Sequence, residues 1–203
     1  MAATLKRLWK NEYFKTAIMI VVIVAVVFGF WFGFQIALGT PYPALAVASG
    51  SMCMTQHMSC DGWSHPFDRT LHVGDLIIIQ GIDPKTIKVG PDPVGDIIVF
   101  HRLSDGELIV HRAIAERTVG NETYFTTKGD ANYSQDPDET PQENVVGKVV
   151  MRIPWIGHLS LFMRDSSAIY VIMAIIIVLV VLEFIIPVLR PKEPTVETNA
   201  NVD

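Results

Sequence analysis

Two long apolar segments lie near the ends of this chain, and a mixed segment separates them. Residues 16–38 carry no charge, and 19 of these 23 residues are apolar. Residues 168–189 hold 20 apolar residues among 22 and one charge, Glu183. A helix rises about 1.5 Å per residue and a bilayer core is about 30 Å thick, so either segment can cross it. The pattern predicts two transmembrane helices.

Flanking charges predict how these helices are oriented. Basic residues lie outside the two apolar segments, at Lys6, Arg7, Lys10, Lys15, Arg190 and Lys192. Cytoplasmic flanks are enriched in Lys and Arg. We therefore expect residues 1–15 and 190–203 to be cytoplasmic and residues 39–167 to lie outside. A cleaved signal peptide is the alternative for the first segment, but the apolar part of such peptides spans about 7–15 residues, so a retained anchor is expected.

The segment between the helices has the pattern of a β domain. Short stretches rich in β-branched residues alternate with turn residues, which is typical of strands joined by hairpins. The turns Ser104–Gly106 and 119–122 each separate two such stretches, and no long amphipathic helix is indicated over 40–152. The predicted fold class is mainly β, an antiparallel domain flanked by transmembrane helices. The expected strands are 75–81, 96–103, 107–117, 123–129 and 144–153.

Residues 153–164 form an apolar segment that is too short to cross a membrane. Trp155 and Phe162 belong to residue types that favour the headgroup region. Because this segment leads directly into the second apolar run, we expect it to lie at the membrane interface, with a place in the protein core as the alternative.

Composition narrows the function classes. The chain is 50% hydrophobic and only 18% charged, and its net charge is −5. The net charge is +3 before residue 39, −6 over 39–167 and −2 from 168 onward, so the predicted external part is the acidic part. A nucleic-acid-binding protein normally presents a basic face, and none is expected here. Two cysteines are too few for a disulfide scaffold.

Candidate catalytic residues occur in the middle segment. Ser51 lies among small residues, which would let a substrate backbone and main-chain N–H groups come close. A serine nucleophile needs a base, and His111 and His101 both lie in apolar strands. Asp130, Asp136 and Asp138 follow in a turn-rich segment and could orient the base. From these residues alone the choice of base and of carboxylate stays open.

Five motifs in series resemble the type I signal peptidases of the archaeal and endoplasmic-reticulum branch, in which histidine replaces the bacterial lysine base. They are ASGSM at 48–52, HVGDLIII at 72–79, GDIIVF at 95–100, LIVHRAI at 108–114 and TKGDANYSQD at 127–136. The resemblance covers about residues 44–163. It implies a signal-peptidase-like antiparallel β catalytic domain.

The resemblance also implies roles for individual residues. Ser51 corresponds to the nucleophile and His111 to the general base. Asp136 corresponds to the carboxylate that orients the histidine, with Asp130 as the alternative and otherwise a supporting residue. The Ser51 N–H and the Ser49 hydroxyl correspond to the oxyanion hole. His101 is expected to be structural.

The implied reaction is cleavage of secretory preproteins behind their signal peptides, at the outer face of the cell membrane or of the endoplasmic-reticulum membrane. Ala46, Val47 and Ala48 are expected to bind the extended substrate as an edge strand. The expected partners are signal peptides and the lipid bilayer, and any accessory subunits are unknown. No cofactor and no metal are predicted.

Residues 53–70 form an insertion that departs from the family pattern. Cys53, His57, Cys60 and His65 lie in it. An external compartment favours a Cys53–Cys60 disulfide. A zinc site and free, packed thiols are the alternatives.

Two other function classes compete with the peptidase hypothesis. One is a catalytically silent membrane subunit that binds exported proteins or partners. The other is a membrane protein that binds metal through the Cys/His insertion.

Overall fold

The computed structural model describes residues 12–54, 70–164, 170–171, 173–175 and 177–178. Two α-helices, two short 3-10 helices (Pro84–Thr86 and Gln142–Asn144) and seven strands have defined bounds within these ranges. The α-helices are α1 (Glu12–Leu38) and α2 (Ile156–Arg164). The strands are β1 (Ala44–Ala46), β2 (Leu76–Gln80), β3 (Ile97–His101), β4 (Leu108–Val119), β5 (Glu122–Lys128), β6 (Thr140–Pro141) and β7 (Val145–Ile153).

All seven strands form one antiparallel sheet in the order β1-β2-β7-β3-β4-β5-β6. The mainly β prediction is confirmed. The two predicted hairpins are also present: β3 pairs with β4 across the turn at Ser104–Gly106, and β4 pairs with β5 from Val119 and Glu122 onward. The short strand β6 was not predicted, because two residues are too few to produce an alternating pattern.

The β3–β4 part of the sheet is covered by apolar side chains on both faces. Successive residues of a strand point to opposite faces. Accordingly Val99 belongs to one buried cluster, with Val47, Met52 and residues of β2, and Ile98 and Phe100 belong to the other. The Ser51 segment thus packs on one face of β3 and β4.

Helix α1 is long and apolar enough to cross a membrane over Phe14–Leu38, and none of the residues in that span is buried by the rest of the protein. It begins at Glu12, four residues before the predicted apolar run. Gly39 ends it in the left-handed conformation, with a φ of 63°, which glycine adopts readily. Its last carbonyl, that of Leu38, accepts a hydrogen bond of 2.8 Å from the Gly81 N–H just after β2. The backbone therefore joins the helix end directly to the sheet.

Residues 153–164 contain the end of β7 and helix α2. Several large apolar side chains in this segment are exposed, as expected of an interfacial segment: Trp155, Ile156, Leu159, Phe162 and Met163. Its placement at the interface stays a prediction. In the second apolar run, the described residues between 170 and 178 are helical. Outside the described residues lie the rest of that run, residues 1–11 and 190–203 of the predicted cytoplasmic termini, and residues 55–69 of the insertion.

Candidate active site

Ser51 lies in a turn between β1 and β2. The Cys53 N–H donates to the Gly50 carbonyl at 3.0 Å and closes the turn around the serine. The Ser51 carbonyl accepts a hydrogen bond of 2.9 Å from the Ala131 N–H. This bond ties the serine segment to the loop after β5, which carries both candidate carboxylates. Ser51 is half-buried, so its hydroxyl is held in place and remains accessible.

His111 on β4 links Ser51 to a carboxylate. Its Nε2 lies 3.0 Å from the Ser51 Oγ, and its Nδ1 lies 2.6 Å from the Asp136 Oδ2. Both distances are within hydrogen-bonding range. The histidine side chain is 11% exposed and that of Asp136 20% exposed. The structure therefore brings together three predicted residues, 60 and 25 positions apart in sequence, in a continuous chain of hydrogen bonds.

Asp136 is fixed by the end of β5. Thr127, which is fully buried, donates its hydroxyl to the Asp136 Oδ2 at 2.6 Å, and the Thr127 carbonyl accepts from the Asp136 N–H at 2.8 Å. Partial burial raises the pKa of Asp136, but hydrogen bonds from His111 and Thr127 outweigh it, so this pKa lies below its ordinary value. The carboxylate is therefore ionised at neutral pH.

An ionised Asp136 determines the tautomer of His111. A carboxylate only accepts hydrogen bonds, so the Nδ1 of His111 must carry the proton that is shared with Asp136. The Nε2 of a neutral imidazole is then an acceptor, directed at the Ser51 hydroxyl. This is the tautomer that a general base for Ser51 requires.

Asp130 has a different partner. Its two carboxylate oxygens accept a pair of hydrogen bonds from Arg112, at 2.8 Å to Nε and 2.6 Å to Nη2. Arg112 also donates to the Gly95 carbonyl at 2.6 Å, and its Nη2 lies 2.8 Å from Asp92. The hydrogen bonds of Asp130 raise the pKa of Arg112 further above its already high value. Of the two carboxylates left open by the sequence, Asp136 is the one bonded to His111.

The predicted oxyanion-hole groups lie next to the Ser51 hydroxyl. The Ser49 Oγ is 3.3 Å from the Ser51 Oγ, and Ser49 is exposed. Among the described residues, no group accepts a hydrogen bond from the Ser51 N–H. The Ser51 N–H is therefore available to a third group at this position, whereas the Ser49 hydroxyl lies within hydrogen-bonding distance of the Ser51 Oγ.

The three predicted substrate-binding residues differ in their backbone contacts. Val47 is buried, its N–H donates to the Asp75 carbonyl, and its own carbonyl accepts from the Gly74 N–H, both at 2.9 Å. Ladder hydrogen bonds alternate in direction along an antiparallel strand, so Ala46 and Ala48 direct theirs to the other side. Strand β1 is terminal in the sheet order, and no strand of the described residues pairs with that side. Ala46 and Ala48 can thus pair with an added strand, whereas Val47 packs inward.

Gly129 is a site residue that sequence reasoning missed. A Cβ at this position would lie 2.6 Å from the Ser51 carbonyl oxygen and 2.9 Å from the His111 Nε2. Only glycine lets the loop after β5 pass this close to both residues. Its place in the TKGDAN motif was the available signal. Thr127 and Arg112 were also missed, and nothing in a single sequence marks them as partners of Asp136 and Asp130.

The insertion is described only in part. Cys53 is disulfide-bonded, and the described residues contain no free cysteine. Cys60, the only other cysteine in the sequence, lies outside those residues, as do His57 and His65. The Cys53–Cys60 pairing stays a prediction. Within the described ranges, no group of three or more His, Cys, Asp or Glu side chains could hold a metal ion.

A second histidine–aspartate pair lies just before β2 in the sequence. His72 and Asp75 are both fully buried, and the His72 N–H donates to the Asp75 Oδ2 at 2.8 Å. Arg152 on β7 reaches both side chains, at 2.9 Å to the His72 Nδ1 and 3.1 Å to the Asp75 Oδ2. It also donates to the Thr70 carbonyl at 2.6 Å. The predicted structural residue His101 lies elsewhere, with its Nδ1 3.0 Å from the Gly106 carbonyl oxygen.

Comparison with known proteins gives the same picture as the motifs. The chain is 28% identical to the signal peptidase complex catalytic subunit SEC11 of Colletotrichum graminicola over 158 residues, which is 71% of this chain and 80% of the relative. The corresponding protein of Pyricularia oryzae is 28% identical over 156 residues, with the same coverage. That of Chaetomium globosum is 26% identical and covers 72% of this chain and 78% of the relative. No protein-family profile matches the chain.

Proposed function

We propose that this chain, whose homologues are catalytic subunits of signal peptidase complexes, is a membrane-bound serine endopeptidase that removes signal peptides from secretory preproteins. The resemblance predicted from the five motifs is confirmed by these homologues. The observation that carries the proposal is the hydrogen-bonded series Ser51–His111–Asp136. The homologues' names favour this reading over a silent binding subunit.

The first half of the reaction follows from the hydrogen bonds at His111. The Ser51 Oγ attacks the carbonyl carbon of the scissile peptide bond while its proton moves to the His111 Nε2. Asp136 remains ionised and stabilises the imidazolium through its bond to Nδ1. The oxygen that gains negative charge is stabilised by the Ser51 N–H and the Ser49 hydroxyl.

The second half releases both products. His111 gives the proton to the leaving amine nitrogen, the C–N bond breaks, and the mature protein departs with a free amino terminus. The signal peptide stays bound to Ser51 as an ester. A water molecule then attacks this ester, its proton passes to His111 and on to the Ser51 Oγ, and the signal peptide leaves as a carboxylic acid.

The membrane helix supports the choice of substrate. Ser51 follows Leu38 by only thirteen positions, and the Gly81–Leu38 hydrogen bond holds the sheet at the helix end. The serine is thereby kept near the membrane surface on the side where α1 ends. A signal peptide presents its cleavage site there, just beyond its own apolar segment. We propose that the catalytic domain lies outside the cytoplasm and that, as their names indicate for the relatives, the chain works within a complex.

Replacement of the nucleophile tests the proposal. Ser51→Ala should lower kcat/KM for cleavage of a purified preprotein in detergent or lipid by at least about 10⁴-fold, because the alanine side chain has no oxygen to attack the scissile carbonyl. Ser104→Ala, in the exposed β3–β4 turn, is the matched control and should cleave as the unchanged chain does. Circular dichroism should show that both variants fold. Undiminished cleavage by a folded Ser51→Ala variant would overturn the serine mechanism, and chelator-sensitive cleavage by it would favour a metal-dependent one.

A further inference from the structure

A pocket borders the His111–Asp136 pair on the side opposite β1. His111 and Asp136 form one of its walls, and Phe100, Leu103, Ile109 and Pro137 supply apolar surface. Ser51 does not line it. Phe100 is buried, whereas Leu103 is exposed, so the pocket is open to solvent at the β3–β4 turn.

The pocket and the packed side chains of the edge-strand segment around β1 lie on opposite faces of the sheet. Leu45 and Val47 of the β1 segment pack with Leu108 and Val110 of β4. Ile109 and His111 alternate with those residues along β4 and face the other side. The side chains of a substrate segment that pairs with β1 therefore do not reach the pocket. Only the part of the substrate that lies beyond Ser51 can reach it.

The direction of proton transfer indicates which part of the substrate reaches the pocket. In the proposed reaction His111 donates its proton to the amine nitrogen of the leaving segment. That nitrogen must come within hydrogen-bonding distance of the Nε2, about 3 Å. The chain that follows the scissile bond consequently starts beside His111, next to the pocket that this residue lines.

We propose, on the basis of the function above, that the pocket binds the side chain of one of the first two residues after the scissile bond. This makes it a specificity site for the start of the mature protein. The apolar surface from Phe100, Leu103 and Ile109 selects an aliphatic side chain. In an extended chain successive side chains point to opposite sides, so only one of the two residues enters.

The rim of the pocket adds a charge preference. Arg102 on the rim is already paired with Asp105 and Glu107, and Glu139 is paired with Arg117. Asp138 is exposed and forms no ion pair within the described part of the chain. The rim thus presents uncompensated negative charge, which disfavours an acidic residue at the start of the mature protein.

A panel of preproteins tests this site. Two sets of three substrates, one set for each of the first two residues after the scissile bond, carry Leu, Ala or Asp at that position and are cleaved by the full chain in lipid. At one position kcat/KM should follow the order Leu, Ala, Asp, with a Leu to Ala ratio of about fivefold. Leu103→Trp should fill the pocket and reduce that ratio to about one. Asp138→Asn should improve cleavage of the Asp substrate relative to the Ala substrate.

Val119→Trp is the matched control, since Val119 is also an exposed apolar residue but lies at the far end of β4. It should keep the ratio of the unchanged chain. Equal kcat/KM for Leu and Ala at both positions, or a ratio that Leu103→Trp leaves unchanged, would overturn the pocket assignment while cleavage itself continues. Absence of any Ser51-dependent cleavage would instead overturn the proposed function.

Discussion

Two histidine–aspartate pairs in the described part of the β domain have different surroundings. In the pair His111–Asp136, both side chains are partly exposed and the histidine contacts Ser51. In the pair His72–Asp75, both side chains are 0% exposed and the additional partner is Arg152. The residue types are the same. Access from solvent and a neighbouring serine hydroxyl separate the pair that we propose to be reactive from the fully buried one.

The partners also place the histidine protons differently. Asp136 accepts from the Nδ1 of His111 and leaves the Nε2 as an acceptor for Ser51. At His72 the Nδ1 faces the guanidinium of Arg152, which can only donate. The Nδ1 of His72 therefore accepts, and its proton lies on Nε2. The same ring is held in opposite tautomers, and only one of them can serve as a base for Ser51.

Replacement of each histidine by glutamine should have the largest effects, and the two variants should differ in kind. His111→Gln should lower kcat/KM by about 10⁴-fold, because glutamine cannot carry a proton from Ser51 to the leaving amine. His72→Gln should retain cleavage within about tenfold and lower the melting temperature by about 5 °C, because it disturbs a buried polar group. Enzyme kinetics and thermal unfolding of both variants measure the contrast. Loss of activity by a stable His72→Gln variant would contradict it.

The two aspartates should differ by a smaller margin. Asp136→Asn should lower kcat by about 10²- to 10⁴-fold, because an amide can hold His111 in the wrong tautomer. Asp75→Asn should act on stability, by about 3 kcal/mol, because it leaves Arg152 without its carboxylate. Measurement of kcat and of the free energy of unfolding should therefore show mainly a loss of kcat for Asp136→Asn and mainly a loss of stability for Asp75→Asn.

The lowered pKa of Asp136 makes the effect of Asp136→Asn on stability depend on pH. A carboxyl group whose pKa falls on folding stabilises the protein above its unfolded value, about 3.9, and that contribution is lost as pH falls through the folded value. The difference in unfolding free energy between the unchanged chain and Asp136→Asn should therefore be constant at neutral pH and shrink below about pH 4. A difference that does not change with pH would contradict the assignment.

Substitution of a glycine beside each pair should have the smallest effects. Gly129→Ala would place a Cβ 2.6 Å from the Ser51 carbonyl oxygen, so we expect about a tenfold or greater loss of kcat/KM. Gly157→Ala would place a Cβ 2.4 Å from the Asp75 carbonyl oxygen and should lower stability instead. Gly33→Ala in α1, where a Cβ meets nothing within 4 Å, is the control for both. A Gly129→Ala variant with full activity would show that the loop can move away without consequence.

The sequence predicts the β domain well because its strands alternate and its turns carry Gly, Asp and Asn. The five predicted strands agree with β2, β3, β4, β5 and β7 to within two residues at most ends. Short β6 has no pattern, and α2 was expected only as an apolar segment. The site residues Ser51 and His111 could be named from motifs. The choice between Asp130 and Asp136 depends on which carboxylate Arg112 holds, and this is a contact between distant residues that one sequence does not encode visibly.

The joint between α1 and the sheet couples the rotation of the helix to the direction of the active site. At Gly81 a Cβ would lie 2.1 Å from the Gly39 carbonyl oxygen, so the two backbones are in direct contact with no linker between them. One residue added within the last turn of α1 would turn the β domain by about 100° about the helix axis. The mouth of the site would then face away from a neighbouring signal peptide, although every catalytic distance would be unchanged. The helical phase of the anchor is therefore a determinant of which chains in the membrane can be cleaved.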